Sequence, residues 1–259
     1  MIYLIYFIIV ILATTLGSMT GMGGGIIIKP VLDLLGHTDA ASISMLSSIT
    51  VLVMAAVSLW RQRRSADKPE RTIALPFALG AVLGGSLGSL GLNALLADAA
   101  SSGVTVVQNI VLAVLVAATF LYMLNKGRIQ SRRLKGVIPS AAAGLILGAI
   151  SSFLGIGGGP INVVLIIYLF SLTTKTAALC SLLSILLSQA SKLLLTLFLG
   201  GFAGYDLSML PIMLAAAIAG GLLGGTLNKR MDEKATDRLF NMVQILVFCL
   251  CMTNIWRNL

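Results

Sequence analysis

The run TLGSMTGMGGGIIIKPVL, Thr15 to Leu32, is echoed by AISSFLGIGGGPINVVL, Ala149 to Leu165. Ser18, Gly21, Gly23, Gly24 and Gly25 precede Ser152, Gly155, Gly157, Gly158 and Gly159 by 134 positions each. Both runs are otherwise apolar. Glycine inside a helix costs about 1 kcal/mol per residue against alanine, so three in succession argue against a continuous helix. Within a bilayer, freed backbone groups are tolerated only where protein or an aqueous cavity covers them. Each triplet therefore reads as a deliberate break in a membrane helix, and the pair marks where function is sought.

The composition around these breaks agrees. The chain of 259 residues is 58% hydrophobic and 10% charged, with a mean hydropathy of +1.00. Soluble proteins carry about 25% charged residues. Several apolar runs in succession exceed the ~20 residues that a spanning helix needs. The formal net charge of +9 lies mostly in short loops, which marks membrane orientation and gives no reason to expect nucleic acid. The opening MIYLIYFIIVILATTLG lacks the basic region of a signal peptide and reads as a retained membrane segment. Cys180, Cys249 and Cys251 have neither metal-like spacing nor a disulfide framework and read as packing residues.

Outward from the first break, one segment runs from about Ile2 to Met19 and resumes from Ile26 to about Leu35. A second, near Ala40 to Trp60, ends at the basic RQRRSADKPER. A third, from about Thr72 to Leu96, contains Pro76 and LGAVLGGSLGSLG; a fourth covers Val104 to Leu124. The order then recurs: Val137 to Phe153, the second break and an apolar stretch to Phe170, Ala177 to Leu199, Leu210 to Leu227 with Pro211 and GGLLGG, and Leu239 to Trp256. Gln108 and Gln244 occupy matching places. Four features in register indicate an internal duplication: residues 1–124 as first repeat, 125–136 as a basic cytoplasmic linker, and 137–259 as second repeat of one membrane domain.

Loop charge orients the halves. The loops around Arg61 to Arg71, Arg128 to Lys135 and Lys229 to Arg238 are basic, whereas those around Asp98 and Asp206 hold no Lys or Arg. The positive-inside rule places the first three in the cytoplasm. That works only if each glycine-broken element returns to the side it started from. The halves are then inverted and both termini lie outside. The expected fold is an all-α polytopic membrane protein of two inverted repeats, each a re-entrant-like broken helix followed by three transmembrane helices.

A half-helix that starts at a glycine break offers free N–H groups and the positive end of its dipole, which suits an anion. In inverted-repeat transporters such termini face the substrate near the midplane. Gly23, Gly24, Gly25, Gly157, Gly158 and Gly159 are the expected backbone ligands. Ser18, Ser152 and Asn162 flank the breaks. Ser44, Ser47 and Ser48 share a helical face, as do Ser181, Ser184 and Ser188; Ser47 and Ser181 correspond between halves and join the site. The amides of Gln108 and Gln244 need partners in lipid and join it too. Lys29 and Lys192 are bases within apolar stretches, candidates for gating or a charge role. Their bland readings are pairing with Asp33, four residues on, for Lys29, and snorkelling outward for Lys192. The stripes Gly80, Gly84, Gly88 and Gly144, Gly148 have the spacing of small-residue helix packing. GMGGG and GIGGG lack the Lys-Ser/Thr of a Walker loop, and neither a metal motif nor a catalytic base appears. No cofactor and no enzymatic activity are expected.

The duplicated G-x-G-G-G elements, the Ser-rich ASISMLSSIT and TAALCSLLSIL helices, and the third element with its proline and glycines resemble the TauE/SafE family, over essentially the whole chain. The resemblance implies a secondary transporter of sulfite or related organic sulfur anions in the bacterial inner membrane, coupled to an ion gradient. The first half departs from the second by carrying Ile26 and Lys29 where the second has Pro160 and Val163. The expected partners are a small anion and the lipid bilayer, with a homodimer left open. Competing readings are an anion channel and a non-transporting anchor or assembly subunit.

Overall fold

The chain breaks at its glycine triplets, while Pro30 and Pro76 lie inside continuous helices. The computed structural model describes residues 2–63, 71–98, 101–154, 156 and 158–258. It is all-helical over these residues. Helix α1 (Ile2–Thr20) is followed across the first break by the short α2 (Gly25–Leu35), then by α3 (Ala40–Gln62), α4 (Arg71–Asp98) and α5 (Ser101–Leu124). The same order of long and short helices follows in α6 (Val137–Phe153), α7 (Pro160–Phe170), α8 (Thr174–Leu199), α9 (Leu210–Arg230) and α10 (Glu233–Asn258). Seven of the described helices are long and apolar enough to cross a bilayer; α2, α6 and α7 are shorter, at 11, 17 and 11 residues. Both short helices after the breaks stop at a left-handed residue, α2 at Gly36 (φ 64°) and α7 at Ser171 (φ 59°). Their successors start at side-chain caps: Asp39 accepts from Ser42 N–H, and Thr173 accepts from Thr176 N–H.

Helices from one half pack against helices from the other. The seam of α4 with α6 is built on glycine. A Cβ added at Gly80, Gly84 or Gly88 would lie 2.0, 1.9 or 2.2 Å from the carbonyl oxygens of Ala141, Leu145 and Ala149, and Gly144 and Gly148 meet Phe77 and Ala81 equally closely. The contacting residue numbers rise together, so α4 and α6 run parallel. Lipid tails are as apolar as leucine, so such seams are held by close van der Waals contact between backbones. The seam of α1 with α9 is alike: Gly220 abuts Ile11 and Thr14, and Gly224 abuts Thr15 and Ser18. By contrast α3 and α8 run antiparallel, because Lys192 reaches Ser44 and Ser48 while Ile185 lies level with Val51. Helices α5 and α10 are antiparallel too, with Gln244 bonded to Thr119 and Asn254 to Asn109.

The loops gather at two faces. At one, the Asp206 N–H donates to Ser42 Oγ at 2.8 Å, and the Arg257 guanidinium donates to the Leu34 carbonyl at the end of α2. At the other, Lys126 pairs with Glu233 (3.3 Å) and Asp237 (3.1 Å), and Thr174 Oγ1 donates to Asp237. Arg132 and Leu134 extend this second group by donating N–H groups to the carbonyls of Tyr168 and Leu169. Residues 64–70 and 99–100, which include parts of two loops used to orient the chain, lie outside the described residues, as does the side chain of Asp98.

The glycine seam has a direct test. Gly84→Val drives a side chain into the Leu145 carbonyl and is expected to cost at least about 1–3 kcal/mol, read as a lower unfolding midpoint in detergent. Gly91→Ala in the same helix, where nothing lies within 4 Å, is expected to leave the midpoint unchanged or raise it slightly.

Candidate functional site

The first break turns the chain back along the helix that precedes it. Gly21 and Gly23 take φ of 73° and 77°, a left-handed region costly for other residues. The chain thus folds back until Gly24 sits beside Ala13 and Thr14, and a Cβ on Gly17 would lie 2.4 Å from Gly24 N. The first triplet therefore stands midway along α1. In α2 the earliest backbone bonds run from Ile27 and Ile28 to the Gly24 carbonyl, at 3.1 and 2.9 Å. Gly25 and Ile26 come too early in the helix for an intrahelical acceptor. At the second break Pro160 opens α7 and removes one such amide. The two helix starts are thus unequal, and α2 offers the more donors.

The two breaks touch. A Cβ on Gly25 would lie 2.3 Å from the Ile156 carbonyl oxygen and 3.0 Å from Ser47 Oγ. Gly158 (φ 156°) faces Ile185 and lies near the Met22 carbonyl; Gly23 faces the same Ile185 and Val51, and Gly159 faces Ile156 and Ile26. Ser181 Oγ donates to the Gly21 carbonyl at 2.8 Å, fastening α8 to the first break. Gly157 and Gly155 lie outside the described residues.

Beyond this contact the polar residues separate into two environments. Ser152 lies near Gly85 of α4, which also neighbours Ser188 of α8. From there α8 carries Lys192, 8% exposed, whose Nζ donates to Ser48 Oγ at 2.8 Å and Ser44 Oγ at 3.1 Å. Lys192 thus turns inward rather than snorkelling. It lines a cavity of about 430 Å³ with Ser44, Ser89, Thr196 and the loop from Gly200 to Tyr205. Among the described residues no carboxylate lines that cavity. In the same loop region the N–H of Ser208, and then its hydroxyl, hold the exposed Asp206 carboxyl below its usual range. A unit charge facing an anion about 4 Å away contributes about 4 kcal/mol at an effective dielectric of about 20. A buried ammonium held only by hydroxyls therefore favours an anionic visitor.

At the other end the matching position is filled. Ser58, which stands where Lys192 would map, is bonded to Ser18 Oγ at 2.7 Å and accepts from Gln62 Nε2 at 2.8 Å. Asn228 donates to the Met19 carbonyl. A smaller hollow of about 180 Å³ lies among Trp60, Arg61, Arg63 and Lys229.

The remaining sequence candidates divide between these places and elsewhere. Lys29, 4% exposed, pairs with Asp33 at 3.4 Å and donates to Gln108 Oε1 at 2.8 Å. Gln108 in turn donates to the Phe153 carbonyl at 2.8 Å, so the two breaks are tied through one amide. Gln244 is not brought to this place: it bonds Thr119 at 2.6 Å and lines an apolar hollow between α5 and α10. Asn162 is buried with no partner for Oδ1, and Ser47 Oγ likewise has none. Thr50, Ser184 and Gln189 are further buried groups with unpartnered atoms. Their sequence signal is positional: Ser181, Ile185, Gln189 and Lys192 repeat at helical spacing along one face of α8.

Comparison with known proteins agrees with this architecture. The family model described as "Sulfite exporter TauE/SafE" matches residues 6–250. A curated relative, "Probable membrane transporter protein YunE" of Bacillus subtilis (strain 168), is 24% identical over 272 residues, covering 95% of this chain and 96% of that protein. No solved structure matches the chain. A family match over nearly the whole length, on an all-helical chain with seven candidate spans and two touching glycine breaks, has one consequence: the chain belongs to the TauE/SafE sulfite exporter family of membrane transporters.

Proposed function

We propose that this protein is a secondary transporter of a small sulfur-containing oxyanion, sulfite or an organosulfonate, working by alternating access across the bacterial inner membrane and driven by an ion gradient. The observation that carries the reading is Lys192. A buried ammonium that among the described residues is hydrogen-bonded only to serines lines the 430 Å³ cavity, on the α8 face that leads to the glycine breaks. Backbone amides at Gly23 to Gly25, with those at Gly157 to Gly159, Ser47, Ser181, Ser152 and Asn162, complete the proposed anion path. Ser18 belongs to the closed end. Gln108 and Lys29 brace the first break against the second. Gln244 holds the α5–α10 pair.

The repeats in this reading are inverted. Support comes from helices α3 and α8, and α5 and α10, each pair occupying matching places in the two halves and lying antiparallel. The loop groups support it as well. The loop with Asp206 shares a face with the α2–α3 turn, while the basic segment after α5 shares the other face with the α7–α8 and α9–α10 turns. These are the outer and cytoplasmic sets that an even number of crossings by each broken element requires. Inversion makes the Lys192 cavity and the Ser18–Ser58–Gln62 cluster counterparts on opposite faces. Among the described residues the first is a cavity of about 430 Å³ and the second is packed by its own hydrogen bonds, which suits an outward-facing state better than a channel, whose two ends are open together.

Two outcomes are expected in proteoliposomes loaded with sulfite or taurine. Wild type accumulates the anion against its gradient, and Lys192→Met lowers the initial rate at least about tenfold while the purified protein keeps its elution profile. Gly158→Val, which pushes a branched side chain into Ile185, abolishes flux in protein that still inserts, whereas Gly159→Ala, at ordinary contact distance from Ile156, retains it. Wild-type protein that moves no oxyanion, or only equilibrates it, contradicts the reading.

A further inference from the structure

Gln189 is 1% exposed, and neither Nε2 nor Oε1 has a hydrogen-bond partner. A buried amide left wholly unpaired is destabilising. Such a group in a native protein calls for an explanation. Its place supplies one. Gln189 lies three residues before Lys192 and four after Ile185, so it shares their face of α8, one turn deeper than the ammonium. Lys192 reaches the cavity; Ile185 touches Gly23 and Gly158. In the antiparallel register of α3 with α8, where Lys192 meets Ser44, Gln189 falls level with Ser47, whose hydroxyl is also unpartnered. The corresponding residue of the first half is Ala55. The feature therefore belongs to one end of the path alone.

We propose that Gln189 is the second recognition point of the anion site, donating its amide N–H to one oxygen of an anion whose other oxygen is held by Lys192. This rests on the transporter reading above and adds the basis of its selectivity. A single ammonium attracts any anion. A second donor one helical turn away, about 5–6 Å between Cβ atoms, is met without converging on the first donor's acceptor atom only by an ion that offers separate oxygens. Chloride, a single atom, requires both donors to converge on one centre. The site is thereby matched to a three-oxygen head such as sulfite or a sulfonate and mismatched to halides, through the cost of leaving a buried polar group unpaired.

The test is calorimetric binding of sulfite to the purified full-length protein, with chloride as competitor, alongside thermal unfolding without added anion. Wild type binds sulfite with chloride a weak competitor. Gln189→Leu weakens sulfite binding by at least about tenfold while changing the chloride inhibition constant by less than about twofold, and Lys192→Met weakens both. Because it removes an unpaired buried amide, Gln189→Leu unfolds at the same temperature as wild type or higher. Unchanged sulfite affinity in Gln189→Leu overturns the proposal, as does a parallel loss of both anions or a lowered unfolding temperature, which marks a packing role. Wild-type protein that binds neither sulfite nor, in a parallel titration, taurine overturns the transporter reading itself, and this proposal with it.

Discussion

The contact of Gly25 with the Ile156 carbonyl is the constraint from which the rest of the structure follows. Two breaks can touch backbone to backbone only if neither carries a side chain at the point of approach, and a Cβ on Gly25 would stand 2.3 Å from that oxygen. Interrupting a helix in lipid frees backbone groups, and each break is acceptable only because the other covers it. Ser181 on the Gly21 carbonyl and Gln108 on the Phe153 carbonyl complete that cover. The same glycines that create the liability thus make its solution possible. They also leave the early amides of α2 turned toward the junction.

Around this junction the two halves are used unequally. The seam α4–α6 and the seam α1–α9 are alike in their glycines, yet Lys192 maps onto Ser58, Gln189 onto Ala55, and Lys29 onto Val163. Where hydroxyls alone meet, Ser18 and Ser58 bond each other and the end is filled. Where an ammonium stands among serines, a cavity remains. The physical difference is solvation. A cation cannot be dehydrated without strong acceptors, and two serine oxygens do not replace its shell. Pro160 adds to the asymmetry by removing an amide from α7 that α2 retains. The two halves therefore differ in chemistry at their corresponding ends.

Much of the fold was legible in the sequence, because the signals were local. Gly23 to Gly25 and Gly157 to Gly159 announced the breaks, and the four-residue spacing of Gly80, Gly84 and Gly88 announced a packing seam. Helix ends were read short wherever polarity rose before the helix stopped. The final helix starts at Glu233 and not Leu239, because α-helices continue through the charged interface; α8 gains Thr174 to Thr176 from the Thr173 cap. The site was less legible. Lys29 with Asp33 is a four-residue pairing and could be read. Lys29 with Gln108, 79 positions apart, and Lys192 with Ser44 and Ser48 depend on the register between helices, which no local pattern encodes. Gln189 stood in the same serine-rich face as its neighbours, and its lack of any partner became visible only once every surrounding group was placed.

The central claim is that two oppositely oriented halves bring their breaks together from the two sides of the membrane. It fixes which loops share a side. Gly127, in the basic segment after α5, and Gly204, in the neutral loop after α8, both sit where a side chain meets nothing within 4 Å. They can therefore carry a cysteine without disturbing the fold, in a chain whose Cys180, Cys249 and Cys251 are replaced. With a membrane-impermeant thiol reagent applied to intact cells and to inverted vesicles, Gly204→Cys is expected to label from outside and Gly127→Cys from the cytoplasm only. Parallel halves would place both positions on one side, and labelling of the two from the same side would contradict the account.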